Sequence, residues 1–306
     1  MKVLILPLDD RPVTYIYPQL IARAAGITPI VPSRALFGSL NSSAKVEAII
    51  SWIDGAIMRE RPSALLICFD TLLYGGLINS RRTEETLKTI TDKLSILKTW
   101  QKSAGPLAPI YGQASIMRIS DNYDNTEEKQ YWARFGREIF AWSSQLHRLL
   151  RGDELAPGVL SAAEYKVPLE VRNDYIATRF RNFQVNSKLI ELVANETLRR
   201  LVFSLDDSGE TGLNVLERDK LLQQVKDNKL ESKIANYAGA DEVLCSLFGR
   251  WLVDTKGKRP SARLRYASEE ARQCQSRYEG QTIGQTIQSQ IAACGIELRD
   301  DRDVDF

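Results

Sequence analysis

Short apolar runs alternate with longer segments of helical period along most of the chain. The runs are continuous, which is typical of strands that are buried on both faces of a parallel sheet. Strands that alternate with helices in this way indicate β-α-β units and not hairpins. Seven runs are predicted to be strands: Val3–Leu8, Ile27–Val31, Ala64–Phe69, Pro109–Met117, Leu201–Leu205, Ile234–Tyr237 and Ala262–Tyr266.

The segments between these strands repeat apolar residues every three or four positions, which predicts amphipathic helices. In one of them Leu87, Ile90, Leu94, Leu97 and Trp100 fall on a single face. The predicted helices are Asn41–Ile57, Thr83–Trp100, Thr126–Leu150, Asn173–Val193 and Val215–Val225.

Together these elements predict an α/β fold that forms one domain over residues 1–306. An irregular connection or insertion is expected near residues 151–170, where Pro157, Gly158 and Pro168 interrupt the repeat. A (β/α)-barrel of parallel strands, complete or incomplete, is the favoured architecture, and an open doubly wound parallel sheet is the alternative. The hydrophobic period does not separate the two, because both architectures bury their strands on both faces.

The composition of the chain argues against nucleic acids and membranes as binding partners. The 306 residues carry a net charge of +2, and a nucleic-acid-binding domain usually shows a strong basic excess or a basic stripe. The four cysteines include no C-x-x-C pair, which argues against a disulfide framework. The opening apolar run is too short for a signal-peptide core, and no run reaches the roughly 18 residues of a membrane span. We therefore predict a cytoplasmic protein without nucleic-acid or membrane partners, and its oligomeric state stays open.

Acidic and arginine residues follow directly after several predicted strands. They are Asp9-Asp10-Arg11, Asp70 and Tyr74 with Arg81, Arg118, Asp206-Asp207, and Asp241-Glu242. Parallel α/β folds bind their ligands at the carboxyl ends of the strands, so these side chains are predicted to share one pocket. For any single aspartate the alternative is a turn or helix-capping role. The doubled aspartates favour a polar pocket, because two adjacent carboxylates repel each other and one pKa rises.

Several kinds of chemistry are not supported by the motifs. The chain contains no G-x-G-x-x-G, no P-loop motif and no G-x-S-x-G elbow. His147 is the only histidine, so we expect neither a Ser-His-Asp triad nor a His-rich metal site, and we expect this residue at the surface or rim. Arg172 and Arg179 share a helix face, where they would form surface salt bridges or a positive rim. No cofactor is predicted; a bound metal would be Mg²⁺, Mn²⁺ or Ca²⁺, with Asp9 and Asp206 as ligands.

Four motifs occur together in the chain: Pro7–Val13, Asp70–Leu77 with Ser80-Arg81, Asp206–Ser208 and Tyr237–Val243. Together they resemble the domain-of-unknown-function 4127 family of bacterial proteins, from Lys2 to about Gly295. The chain looks shorter at its C-terminal end than typical members, which leaves the completeness of a barrel open. The resemblance implies no established activity, substrate or catalytic residue.

The first predicted function is hydrolysis of a small polar substrate, a glycoside or an amino-sugar derivative. The reason is that two carboxylates suffice to cleave a glycoside. Asp206 and Asp207 are the predicted catalytic residues. The alternatives are phosphoryl or carbonyl chemistry with a divalent metal, and binding of a metabolite without catalysis. The predicted substrate-binding residues are Asp9, Asp10, Arg11, Asp70, Tyr74, Arg81, Arg118, Asp241 and Glu242, with Arg11, Arg81 and Arg118 orienting an anionic group.

Overall fold

The fold is built around one β-sheet. The computed structural model describes residues 1–40, 42–105, 108–205, 209–275, 280–300 and 304–305. Within them the sheet has six strands, and every neighbouring pair is parallel. The strands are β1 (Lys2–Leu6), β2 (Thr28–Ile30), β3 (Leu65–Cys68), β4 (Ile110–Ile116), β5 (Arg200–Leu205) and β6 (Ile234–Tyr237). The prediction of an α/β fold with a parallel sheet is confirmed.

The order of the strands in the sheet is β2-β1-β3-β4-β5-β6. The chain passes from β1 to β2 on one side and then returns to β3 on the other side of β1. This reversal makes the space between β1 and β3 the topological switch point of an open doubly wound sheet. In the described part of the chain β2 and β6 are the two edges, so the order corresponds to the open arrangement that was the alternative prediction.

Burial on both faces explains the continuous apolar runs. Successive side chains of a strand point to opposite faces of its sheet. Along β1, Leu4 and Leu6 belong to one hydrophobic core, and Val3 and Ile5 belong to another. All four side chains are fully buried, which agrees with the apolar pattern from which the strand was predicted.

Helices cover both faces. On the face of Leu4 lie α2, α5, α8 and α9, and on the face of Val3 lie α1, α10 and α12. The helices are α1 (Tyr17–Ala24), α2 (Val46–Glu60), α3 (Leu77–Arg82), α4 (Leu87–Asp92), α5 (Ile96–Ala104), α6 (Trp132–Arg151), α7 (Val159–Tyr165), α8 (Leu169–Ala194), α9 (Leu213–Asp227), α10 (Val243–Lys256), α11 (Glu269–Gln273) and α12 (Ile283–Cys294).

Two predicted elements differ from the structure. The helix predicted over Thr83–Trp100 is divided into α4 and α5 by a 3₁₀ turn at Lys93–Ser95. The strand predicted at Ala262–Tyr266 is wrong beyond its first residue. β7 (Ser261–Ala262) pairs only with β8 (Glu297–Leu298), in a separate two-stranded sheet. The next residues include Arg263 and Arg265, whose charges are too costly to bury in a central strand.

The long connection between β4 and β5 builds a core of its own. Trp132 and Trp142 of α6 pack with Tyr175 of α8 and with residues of α7 in this cluster. The predicted irregular stretch 151–170 contains α7. Across the described residues no helix is long and apolar enough to cross a membrane.

Candidate functional site

A cavity of about 650 Å³ opens at the carboxyl edge of the sheet. Its wall consists of residues that follow β1, β3, β4 and β6, together with the segment that precedes α2. Doubly wound proteins bind their ligands in the crevice at the switch point, which is where this cavity lies. The charged residues that line it are Asp9, Asp10, Arg11, Arg81, Arg82, Arg118, Glu127, Asp241 and Glu242.

Asp9 shapes the turn that follows β1. Its carboxylate accepts hydrogen bonds from the backbone N–H of Arg11 at 3.0 Å and from the hydroxyl of Thr14. Thr14 is buried in the π-helical turn Pro12–Ile16, which begins directly after Arg11. Asp9 therefore has the turn-forming role that was the alternative interpretation of these aspartates, and its side chain also faces the cavity.

Arg11 links the loop after β1 to the loop after β6. Its Nη2 lies 2.7 Å from Oδ2 of Asp9 and 2.6 Å from Oδ1 of Asp241. Burial, the largest single effect, acts to lower the pKa of Arg11, but hydrogen bonds and charges of the two carboxylates together raise it above its ordinary value. We call Asp9, Arg11 and Asp241 the carboxylate bridge. In it the loops that follow β1 and β6 meet.

Two other acidic residues lie beside the carboxylate bridge. Asp10 pairs with Arg34, which contacts its carboxylate at 3.6 Å and its backbone carbonyl at 2.6 Å. Glu242 accepts a hydrogen bond from Nε2 of Gln290 on α12 at 2.5 Å. Both carboxylates belong to the cavity wall, as the sequence predicted for the strand ends.

Asp70 and Tyr74 lie beneath the cavity and not on its wall. Both are buried, in the π-helical turn Asp70–Tyr74 that follows β3. Oδ2 of Asp70 accepts a hydrogen bond from the backbone N–H of Ser115 at 3.0 Å. Burial raises the pKa of Asp70 to about 6. The hydroxyl of Thr71 donates to the backbone carbonyl of Leu8 at 2.6 Å, so this turn supports the loop that carries Asp9.

A second charged cluster combines residues of α3 with residues that follow β4. Arg81 is only 2% exposed, and its Nη1 lies 3.2 Å from Oε1 of Glu128. Arg118 contacts Glu127 at 3.0 Å and Glu128 at 2.9 Å. We call Arg81, Arg82, Arg118, Glu127 and Glu128 the arginine cluster. In it the segments that follow β3 and β4 meet.

Arg82 contributes the third guanidinium of this cluster. Among the residues that the structure describes, its hydrogen bonds go to backbone carbonyls. They belong to Leu40 at 3.5 Å, Asn125 at 3.0 Å, Thr126 at 2.5 Å and Glu128 at 2.9 Å. Three guanidinium groups therefore accompany two carboxylates, and the cluster has a formal positive excess.

Asp206 and Asp207 lie outside the described residues, so their role stays a prediction. Within the described ranges no group of three or more His, Cys, Asp or Glu residues could hold a metal ion. Of the two predicted metal ligands, Asp9 accepts hydrogen bonds from Arg11 and Thr14. The other, Asp206, lies outside the described residues.

A comparison with family models matches residues 3–306 to the model described as "Protein of unknown function (DUF4127)". The chain belongs to the DUF4127 family. The resemblance that four motifs indicated is therefore confirmed, over essentially the whole chain. No similar curated protein and no similar solved structure was found for it. Membership of DUF4127 supports no particular reaction.

Two expectations about helical residues of this DUF4127 protein are wrong. His147 is only 2% exposed, because its side chain points from α6 toward the segment before α9. Arg179 is only 1% exposed and pairs with Glu217 at 2.6 Å, so it is not a surface residue. Arg172 pairs with Glu164 at 3.3 Å. The hydrophobic period of α6 and α8 does not show which of their faces α9 covers.

Sequence reasoning missed Arg82, Glu127 and Glu128 as members of the site. Arg82 stands beside Arg81, but adjacent residues on a helix point in different directions, so the pair gave no signal of shared function. Glu127 and Glu128 lie about ten residues after β4 in an irregular segment. Glu127 lines the cavity and Glu128 pairs with Arg81 and Arg118, and both positions depend on how that segment folds back, which no period in the sequence encodes.

Proposed function

We propose that this chain is a hydrolase for a small polar substrate, a glycoside or an amino-sugar derivative that carries an anionic group. One observation carries the proposal: the carboxylate bridge lines the cavity at the switch point together with Arg81, Arg82, Arg118 and Glu127 of the arginine cluster. A volume of about 650 Å³ suits a small molecule, since ligand pockets commonly measure about 300–1,000 Å³.

The acidic part of the wall would bind the polar groups of the substrate. Carboxylates are acceptors only, so Asp9, Asp10, Asp241 and Glu242 suit hydroxyl or amine donors. Arg11 fixes two of these groups, which reduces the conformational freedom that binding would otherwise remove.

The arginine cluster would bind the anionic group. Guanidinium groups match the geometry of carboxylates and phosphates, and they stay charged at any physiological pH. Arg81 and Arg118 already share two glutamates, so Arg82 is the residue whose charge is best available to a ligand. We therefore add Arg82 to the predicted substrate-binding residues.

Asp206 and Asp207 are retained as the proposed general acid and base. They follow β5 directly in the sequence, and β5 is a neighbour of β4 in the sheet. A pair of carboxylates can act as acid and as nucleophile or base in glycoside cleavage. We propose the cytoplasm as the compartment, from the sequence features that indicated it.

A substrate panel tests this function. Purified protein is incubated with 4-nitrophenyl glycosides and amino-sugar glycosides, each as a neutral form and as a form with a carboxylate or phosphate. Turnover is expected for an anionic member, and Asp206→Asn or Asp207→Asn should lower kcat by roughly 10²–10⁴-fold. The matched control is Asp92→Asn, which removes a carboxylate of an exposed ion pair on α4. Wild-type kcat in both site variants would reject the catalytic assignment.

Arg82→Gln tests the anion subsite in the same assay. It should reduce the preference for the anionic over the neutral substrate by at least about tenfold, the equivalent of one hydrogen bond to a charged group. Thermal stabilisation by a panel member without turnover would instead favour metabolite binding, for which the ion-paired carboxylate bridge is equally suited. Stabilisation by Mg²⁺, Mn²⁺ or Ca²⁺ that Asp9→Asn and Asp206→Asn abolish would favour the metal-dependent alternative.

A further inference from the structure

Three side chains of α6 hold the segment that leads into α9. The hydroxyls of Ser144 and Thr211 are 2.6 Å apart. Nδ1 of His147 accepts a hydrogen bond from the backbone N–H of Gly212 at 3.0 Å, and the hydroxyl of Ser143 accepts one from the backbone N–H of Leu213 at 2.8 Å. Three consecutive residues of the segment are therefore fixed to one helix.

The bonds from Gly212 and Leu213 to α6 are shielded from water. Ser143 is fully buried and His147 is 2% exposed, and Gly212 and Leu213 are buried as well. Gly212 leaves no room for a side chain, because a Cβ atom there would collide with Oδ1 of Asn214. A buried N–H that loses its acceptor cannot turn to solvent, so the loss of either bond to α6 carries the full cost of desolvation.

The bond from Gly212 requires a neutral imidazole. Nδ1 can accept only while it carries no proton, whereas the protonated ring would direct an N–H against the N–H of Gly212. Burial lowers the pKa of His147, and the charge of Arg151 on the same helix acts in the same direction. The other charged groups that influence the ring are Arg218, Asp219 and Asp153, of which the two aspartates act in the opposite direction.

We propose that His147 is a positioning residue that holds residues 211–213, which lead into α9, while its ring is neutral, and that acid releases this segment at Gly212. The inference itself rests on the contacts of residues 211–213 and not on the proposed hydrolase function.

Hydrogen exchange at the Gly212 amide tests the proposal. Protection factors are measured between pH 5 and pH 8 in the whole chain, with amides of β5 as the internal reference. His147→Asn keeps an acceptor near the position of Nδ1 but does not titrate, and His147→Leu has a similar size without the acceptor. The wild type should lose roughly tenfold of its Gly212 protection as pH falls, whereas the Asn variant should stay protected throughout. The Leu variant should be unprotected at every pH.

The proposal would be overturned by a Leu variant that keeps wild-type protection, or by an Asn variant that loses as much as the Leu variant. If His147→Leu does not fold, Ser144→Ala replaces it. That variant removes the contact with Thr211, which does not titrate, so the acid-induced loss at Gly212 should persist in it. A wild-type Gly212 amide with constant protection would also overturn the proposal. None of these outcomes depends on turnover. Failure of the hydrolase proposal can therefore be distinguished from failure of the proposal for His147.

Discussion

Arg11 and Asp241 form a two-point ion pair although they lie 230 positions apart in the chain. Nη2 of Arg11 lies 2.6 Å from Oδ1 of Asp241, and Nη1 lies 3.2 Å from Oδ2. The same guanidinium also contacts Asp9, two residues before it. This pair therefore joins the loops that follow the first and the last strands of the six-stranded sheet in chain order.

The stability that this ion pair contributes should be small. Both side chains are more than a third exposed, and water screens such pairs to below about 1 kcal/mol. A double-mutant cycle with Arg11→Met and Asp241→Asn, followed by urea unfolding, measures the coupling energy. A coupling well above this limit would show that the pair is a main source of stability and not chiefly a means of holding the two loops together.

Asp70→Asn should change the pH dependence of stability. Because the pKa of Asp70 is about 6 in the folded protein and lower in the unfolded chain, the unfolded chain releases this proton first. The contribution of Asp70 to the free energy of unfolding is therefore lost as pH rises from about 4 through 6, by on the order of 2–3 kcal/mol. The asparagine can still accept the hydrogen bond from Ser115, but it does not titrate.

Urea unfolding at several pH values between 4 and 7 measures this effect. The stability of Asp70→Asn relative to wild type should increase over that interval. Parallel curves for wild type and Asp70→Asn would contradict the assigned titration of Asp70.

Glu217→Gln should destabilise the protein by about 3–5 kcal/mol, because it leaves the buried charge of Arg179 without its counter-ion. The carbonyl of Met117 and the hydroxyl of Tyr175 also accept hydrogen bonds from Arg179, but neither carries the missing charge. Denaturant unfolding measures the loss. The matched control is Glu191→Gln, whose exposed pair with Lys188 should contribute nothing measurable. An equal loss of unfolding free energy in both variants would show that the burial of Arg179 adds nothing to the cost of removing its counter-ion.

Gly75→Ala should destabilise the loop after β3 more than Gly152→Ala destabilises the end of α6. Both glycines have left-handed backbone angles, with φ of 80° and 94°. A Cβ atom at Gly75 would lie 2.9 Å from Cβ of Ser43, whereas nothing lies within 4 Å of one at Gly152. Thermal melting of both variants measures the two losses of unfolding free energy. They should differ by about 1–3 kcal/mol, the usual cost of overpacking. Equal losses would mean that Ser43 moves aside.

Local features of the sequence determined most of the strands and the kind of residue at their ends. The apolar runs at β1, β3 and β4 reflect burial on both faces, which any parallel sheet imposes. The same pattern is compatible with a barrel and with an open sheet. Only the tertiary structure shows the order of the strands, in which β2 and β3 lie on opposite sides of β1. The strand predicted at Ala262–Tyr266 was wrong for a different reason, since Arg263 and Arg265 interrupt its apolar residues.

For the candidate site, too, the sequence determined some features and the tertiary structure determined others. The sequence by itself determined that Asp9, Arg11 and Asp241 follow strands, because each comes directly after an apolar run. Only the tertiary structure decided that they contact one another, and that Asp70 lies beneath the cavity wall. It also decided that His147 is buried, because the helix that covers it comes more than sixty residues later in the chain. Patterns in a sequence record the burial and local geometry of each segment, whereas contacts between distant segments arise only from their packing.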